Sequence, residues 1–403
     1  MNSAPDDEAA PEDLEGVFSE LAPDHSGLLQ AKAVFQPWHH PRKQYVRIHQ
    51  WCSAVQTLIG ELRLGPGDPF RYLTLPGNEL LDVRALQGVC QPAGVKLRYL
   101  GFNSVARGSS EQAELSLSQS EVRALAGIDG FSLVLEERLE AVANERSQAF
   151  SVARQHGPFH AINIDLCDSI AFRDVDDRRG SVLGVVARLL ELQLQKTTPW
   201  LLFLTTMAQP GTISARSRGA FDAAISANTA ASAEFRNELA KLVSCTAAEL
   251  DARLEKAWMG QDPDFLRLFC AGLGKWLLHL AGGAAPPREL TLLSSCYYQV
   301  GPDGPDMLSL AFRCDSQQPP LSDQFGILPD AAPHTAFSEV QAALRMARSL
   351  SDSLDLDRLL VDKPALTTKL IGQAGRLLAT ARYREDAYEE WARREVERTG
   401  RFA

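Results

Sequence analysis

No stretch of the 403 residues reaches the roughly 18 to 20 uncharged apolar positions that a membrane-spanning helix requires, so no membrane crossing is expected. The opening run from Met1 to Asp13 is acidic and lacks the basic and apolar regions of a secretory signal, which points to a cytoplasmic protein. Paired cysteines are missing as well. Cys52, Cys90, Cys167, Cys245, Cys270, Cys296 and Cys314 stand singly with no CxxC among them, which argues against a zinc ribbon or disulfide framework and for small buried hydrophobes. Positive charge is in deficit: 41 Lys and Arg against 51 Asp and Glu give a net charge of -10. That balance disfavours non-specific coating of nucleic acid and leaves room only for a local basic patch. The phosphate loop GxxxxGKS/T, the GxSxG elbow and the HExxH helix are all absent. So is the GxGxxG fingerprint of nicotinamide cofactors at the first strand-to-helix turn. No internal repeat is found.

What is present is an alternation of short apolar runs and helical spacing. Residues 1–27 read as a mobile acidic tail. After Pro41, a residue suited to the first turn of a helix, Tyr45, Ile48, Trp51, Cys52, Val55, Leu58, Ile59 and Leu62 recur three or four apart and predict an amphipathic helix ending near Gly65. Strands are expected from Phe70 to Gly77, Val95 to Asn103, Phe131 to Leu135, Phe159 to Leu166 and Trp200 to Thr206, with helices between the first and second, the third and fourth, and the fourth and fifth. Runs that are apolar throughout are what a parallel sheet covered on both faces demands. The fold class is therefore α/β, a doubly wound and mostly parallel sheet. A hairpin from Leu290 to Arg313 closes it, after a helical insertion over 212–288. The sheet domain spans 28–314, 315–334 form a linker, and 335–403 a helical C-terminal extension whose charged last helix reads as solvated. The insertion or this extension could also serve a protein partner or a homodimer.

Three phrases at strand ends and one before the first strand carry candidate chemistry. Thr74, Leu75, Pro76, Gly77 and Asn78 form a turn after the first strand, where one glycine lets backbone approach a ligand. Asn103 ends the second strand and can both accept and donate a hydrogen bond. Asn163, Asp165 and Asp168 close the fourth strand, and acids in that position are costly to desolvate unless they have a role; helix capping or a turn is the other reading. Ahead of these, His39, His40, Arg42, Lys43 and Arg47 lie among Trp38, Tyr45 and Trp51. Guanidinium groups pair with carboxylate or phosphate and aromatics supply stacking, but a polar helix face with its tryptophans in the core would look the same. Adjacent histidines seldom converge on one ion, so no metal is expected. Thr205 ends the fifth strand, where a hydroxyl could face the same crevice or make a turn.

This sheet order and these phrases resemble the class I S-adenosylmethionine-dependent methyltransferases over about Pro37 to Arg313, apart from the insertion. The stretch from Asn163 to Ser169 is similar to the fourth-strand region of tRNA guanine dimethyltransferases and amino-methylating nucleic-acid enzymes. The resemblance implies S-adenosylmethionine held by Thr74, Pro76, Gly77, Asn103, Asn163 and Arg47. It implies catalytic roles for Asp165 and Asp168 in orienting an amine, a nucleobase first among them, and substrate contacts from Trp38, His40, Arg42, Lys43 and Thr205. The chain departs from the pattern in three places: no acid precedes the first turn, Asn103 stands where a carboxylate is usual, and Leu166 and Cys167 replace a Pro and an aromatic. Those departures keep a second function open, a methyltransferase-like scaffold or binding subunit of a bacterial multi-protein assembly, anti-phage defence included.

Overall fold

Strands that alternate two buried faces must be covered on both sides, and the side chains here divide accordingly. Leu202 and Leu204 belong to one core cluster, Leu201 and Phe203 to the other, as the two-residue period of a strand requires. The computed structural model describes residues 31–174, 180–260, 262–285, 287–316 and 338–399. The expected acidic tail and nearly all of the linker lie outside them. Within them the protein is α/β, built on an open eight-stranded sheet flanked by helices.

The strands are β1 (Pro69–Thr74), β2 (Lys96–Phe102), β3 (Leu133–Leu135), β4 (Ala161–Asp165), β5 (Trp200–Met207), β6 (Arg288–Tyr298), β7 (Met307–Ser316) and β8 (Leu354–Asp355), in the order β3-β2-β1-β4-β5-β7-β6-β8. β1 to β5 pair in parallel, and β7 runs antiparallel to both β5 and β6. The order reverses between β1 and β4, and ligands of open α/β sheets sit outside the carboxyl ends of the strands at such a point.

The helix before β1 has three parts: α1 (Pro41–Tyr45), a π-helical stretch (Val46–Cys52) and α2 (Ser53–Leu62). Pro41 takes its first position behind His40, whose Nδ1 accepts from the Arg42 backbone N–H. Next in the chain are α3 (Leu81–Cys90), α4 (Ser110–Ala124), α5 (Gln148–His156) and α6 (Val182–Leu192). The third strand is shorter than its sequence suggests, because Phe131 lies exposed ahead of it. The apolar spacing from Leu139 to Val152 breaks into a 3-10 turn (Leu139–Ala143) and α5, whose start is capped by the Ser147 hydroxyl accepting from the Phe150 N–H. Between β5 and β6 lie α7 (Ala215–Ala231), α8 (Ala233–Leu242), α9 (Leu250–Ala257) and α10 (Pro263–Gly282).

The C-terminal part does not stand off as a solvated appendage. α11 (Glu339–Leu350), α12 (Leu356–Asp362), α13 (Pro364–Ala379) and α14 (Glu385–Thr399) close over the sheet, and β8 pairs in parallel with β6. Tyr388 and Ala392 of the charged last helix are fully buried, and the Tyr388 hydroxyl donates to the His39 carbonyl at 2.7 Å. Arg84 donates to the Thr380 carbonyl at 2.7 Å, and Arg382 pairs with Glu114 and Glu121. Among the described residues no helix is long and apolar enough to cross a membrane.

Burial of histidine gives this packing a pH signature. His39 and His160 are both held down to about 3 from 6.5, first by burial and then by neighbouring cations, Arg47 and Lys32 for the one and Lys196 and Arg71 for the other. His40 is pushed well below its ordinary value, again chiefly by burial. The unfolded chain therefore binds protons that the native one refuses, so stability present above pH 6.5 falls as pH drops toward 3. Urea unfolding across this window should show a slope approaching about 1.4 kcal/mol per pH unit for each such histidine. His160→Gln, whose amide oxygen can still accept from the Arg71 N–H that His160 Nδ1 now binds, should remove one share of it. An unchanged slope in that variant would show that His160 is not among the groups responsible.

Candidate functional site

Lys43, Arg47 and Trp51 follow one another at four-residue spacing on the helix before β1. In a regular α-helix such a row drifts around the axis. The wider turn of the π-helical stretch, a feature often found at functional sites, offsets the drift and keeps the three on one wall of a cleft. Lys43 Nζ donates to Asp165 Oδ1 at 2.5 Å and lies 4.9 Å from the centre of the Trp51 ring. Arg47 is different. It is only 5% exposed, its Nη2 donates to the Trp38 carbonyl at 3.0 Å, its Nε has no partner, and it makes no ion pair with any described residue. Burial lowers its pKa, against the pull of Asp165 and Asp82. Trp51 Nε1 is a second buried donor without an acceptor among the described residues.

The opposite wall comes from the turn after β1. Pro76 packs over β2 at Gly101, where a Cβ would stand 2.9 Å from Pro76 Cγ, so glycine is what permits the approach. Asn103 Nδ2 donates to the Pro76 carbonyl at 2.9 Å and to Asn78 Oδ1 at 3.2 Å, bracing the turn. The left-handed residue of this turn is Leu80, at φ 53°, and not Gly77. Beneath it runs a buried chain of hydrogen bonds. Asn163 Nδ2 donates to the Tyr72 hydroxyl at 2.9 Å, which donates to Asp82 Oδ2 at 2.9 Å, and Thr74 Oγ1 donates to the same oxygen at 2.5 Å. Burial raises the Asp82 pKa while these hydroxyls oppose the rise. Glu79 Oε1 accepts from the Tyr383 hydroxyl of the C-terminal part at 2.9 Å.

The two walls enclose a cleft of about 490 Å³ at the carboxyl ends of the strands, over the β1/β4 switch point, within the size range of small-molecule sites. It brings together Trp38, Lys43, Arg47, Pro76, Gly77 and Asp165. A second cleft of about 300 Å³ adjoins it across Leu75, Leu166 and Cys167, and it is this one that Asp168 lines. Thr74, Asn103 and Asn163 stand behind the lining and hold it in place. Arg42 is turned away, its Nη1 donating to Asp357 Oδ1 at 2.7 Å, and His40 caps α1. The Thr205 hydroxyl is paired with that of Ser309 at 3.0 Å.

Sequence reasoning passed over Glu79, Asp82, Met207, Tyr298, Val300 and Met307, all of which line the first cleft. Asp82 carried a usable signal, since an acid in the first turn of the helix after β1 sits at the edge of the ligand crevice. No curated protein and no solved structure matches the chain. A family match extends over residues 32–393, a span that includes the helix bearing Arg47 as well as most of the C-terminal helices that brace it, and by this match the chain belongs to the PP_RS20740-like family.

Proposed function

We propose that the first cleft holds S-adenosylmethionine and that the protein is a methyltransferase acting on an amine. The observation that carries this reading is the buried Arg47 guanidinium, without an ion-pair partner among the described residues, on the wall of a cleft at the switch point. An uncompensated buried cation is unfavourable in the free protein and calls for an anion of the ligand. The carboxylate of the methionyl group meets that need, and Asp82 and Glu79 lie in the same cleft for its ammonium. When bound, the cofactor supplies an electrophilic methyl group. Five parallel strands followed by an antiparallel pair also follow the element order of class I methyltransferases, a doubly wound sheet ending in a hairpin. Methyl transfer to a neutral amine needs alignment more than acid or base chemistry, so a sparse polar lining suits it.

A binding subunit without chemistry is the second reading. It is favoured by the internal pairing of two expected polar groups, Asp165 with Lys43 and Asn103 with the Pro76 turn. Calorimetric titration with S-adenosylmethionine, S-adenosylhomocysteine and 5′-methylthioadenosine separates the two. Saturable micromolar binding of the first two, with methylthioadenosine at least about tenfold weaker because it lacks the carboxylate, is the expected result. Absence of binding up to millimolar ligand would overturn the cofactor reading and favour a protein partner.

A further inference from the structure

The cleft is divided in character along the sheet. Its half over β1 and β4 carries the charged groups Asp82, Asp165, Lys43 and Arg47. Its half over β5, β7 and β6 is floored by one row of neighbours: Met207 pairs in register with Met307, and Met307 with Tyr298. Val300 and Trp38, 45% and 41% exposed, form the lip of the cleft. Among the described residues no charged side chain belongs to the apolar half. The only cations in the lining among the described residues, Lys43 and Arg47, are both buried, and Lys43 is already paired.

We infer that the methyl acceptor is a small, uncharged amine with an apolar or aromatic body, seated on Met207, Met307 and Tyr298 with Trp38 across its face, and not a base within a nucleic-acid strand. This rests on the methyltransferase reading and names the substrate class of the same site. A strand brings phosphates that call for accessible lysines or arginines; among the described residues the lining of this cleft holds no exposed one, and Arg138 of the adjoining cleft is paired with Glu140, on a chain of net charge -10. Burying an apolar body on methionine and tyrosine is favourable by area alone, and the flexible thioethers adapt to its outline. In the transfer, the amine lone pair forms the new N–C bond as the S–C bond breaks, the bonding pair stays on the departing sulfur, and one proton leaves the ammonium product for water.

The test uses the full chain with S-adenosylmethionine tritiated in its methyl group and two panels of acceptors. One panel holds neutral aromatic amines, aniline and 6-aminoquinoline. The other holds single-stranded DNA and RNA oligonucleotides of mixed sequence. Label should pass to the aromatic amines, with little change from low to moderate salt, and Trp38→Ala, at an exposed position, should raise their KM about three- to tenfold while the calorimetric Kd for S-adenosylhomocysteine stays within about twofold. Transfer to the oligonucleotides that falls steeply with salt would overturn the proposal, and so would cofactor binding with no transfer to either panel. Failure to bind S-adenosylmethionine in the calorimeter sinks the cofactor reading itself, and this proposal with it.

Discussion

Replacing Arg47 by Met should stabilise the ligand-free protein and, in the same step, remove its preference for ligands that carry a carboxylate. The arginine is 5% exposed, has one hydrogen bond to a carbonyl and no counterion among the described residues. Its charge is therefore desolvated without full compensation, and an apolar side chain of similar length that fills the same volume should be more stable by about 1–3 kcal/mol. On binding, the position reverses. A charge-assisted hydrogen bond to a carboxylate contributes about 1.5–3 kcal/mol, so affinity for S-adenosylhomocysteine should drop about 10- to 150-fold. Methylthioadenosine, without the carboxylate, should bind wild type and variant alike. Urea unfolding and calorimetry on the same two proteins read both effects. A variant that is less stable and loses affinity for all three ligands equally would mark Arg47 as a packing residue, and the reading of the cleft would lose its support.

The sheet was readable from sequence because its signal is local. Apolar runs such as Trp200 to Thr206 alternate faces within one strand, and the residues themselves carry the pattern. Part of the site was readable for the same reason: Lys43, Arg47 and Trp51 are spaced four apart, so one helix face gathers them. What stayed hidden depends on contacts between distant segments. α4 buries little besides Leu115, Ser118 and Val122, too thin a stripe to announce a helix. The many charges of α14 read as a solvated face, yet Tyr388 and Ala392, four apart, are enough to dock it. Met207, Met307 and Tyr298 look like ordinary strand ends until the register of three strands sets them in one row. Gly77 drew attention as the glycine of the turn, whereas the close approach falls at Gly101 on the neighbouring strand, which local sequence gives no means of pairing with Pro76.

Asp357 is the least readable of these contacts, because its partner lies 315 residues away, and its loss should be the most damaging single substitution outside the cleft. One oxygen accepts from Arg42 Nη1 at 2.7 Å and the other from the backbone N–H of Gln299 at 2.6 Å, so a single carboxylate ties α12 to α1 and to the end of β6. Arg42 precedes Lys43, and Gln299 lies between Tyr298 and Val300, so the helical wall of the cleft and part of its apolar floor and lip hang on this group. Asp357→Ala leaves the Arg42 guanidinium buried without a carboxylate and should destabilise by about 3–5 kcal/mol, as breaking a buried pair does. The double variant Arg42→Met with Asp357→Ala should recover a large part of that loss, because the stranded charge is gone, and the cycle of single and double variants isolates the coupling. Asp357→Asn, which keeps an acceptor for Gln299, should fall between wild type and Asp357→Ala. If Asp357→Ala unfolds within about 1 kcal/mol of wild type, the Arg42 charge must be reached by water, and the cleft walls are held by the aromatic packing of Phe35 with Tyr383, Tyr388 and Trp391 rather than by the ion pair.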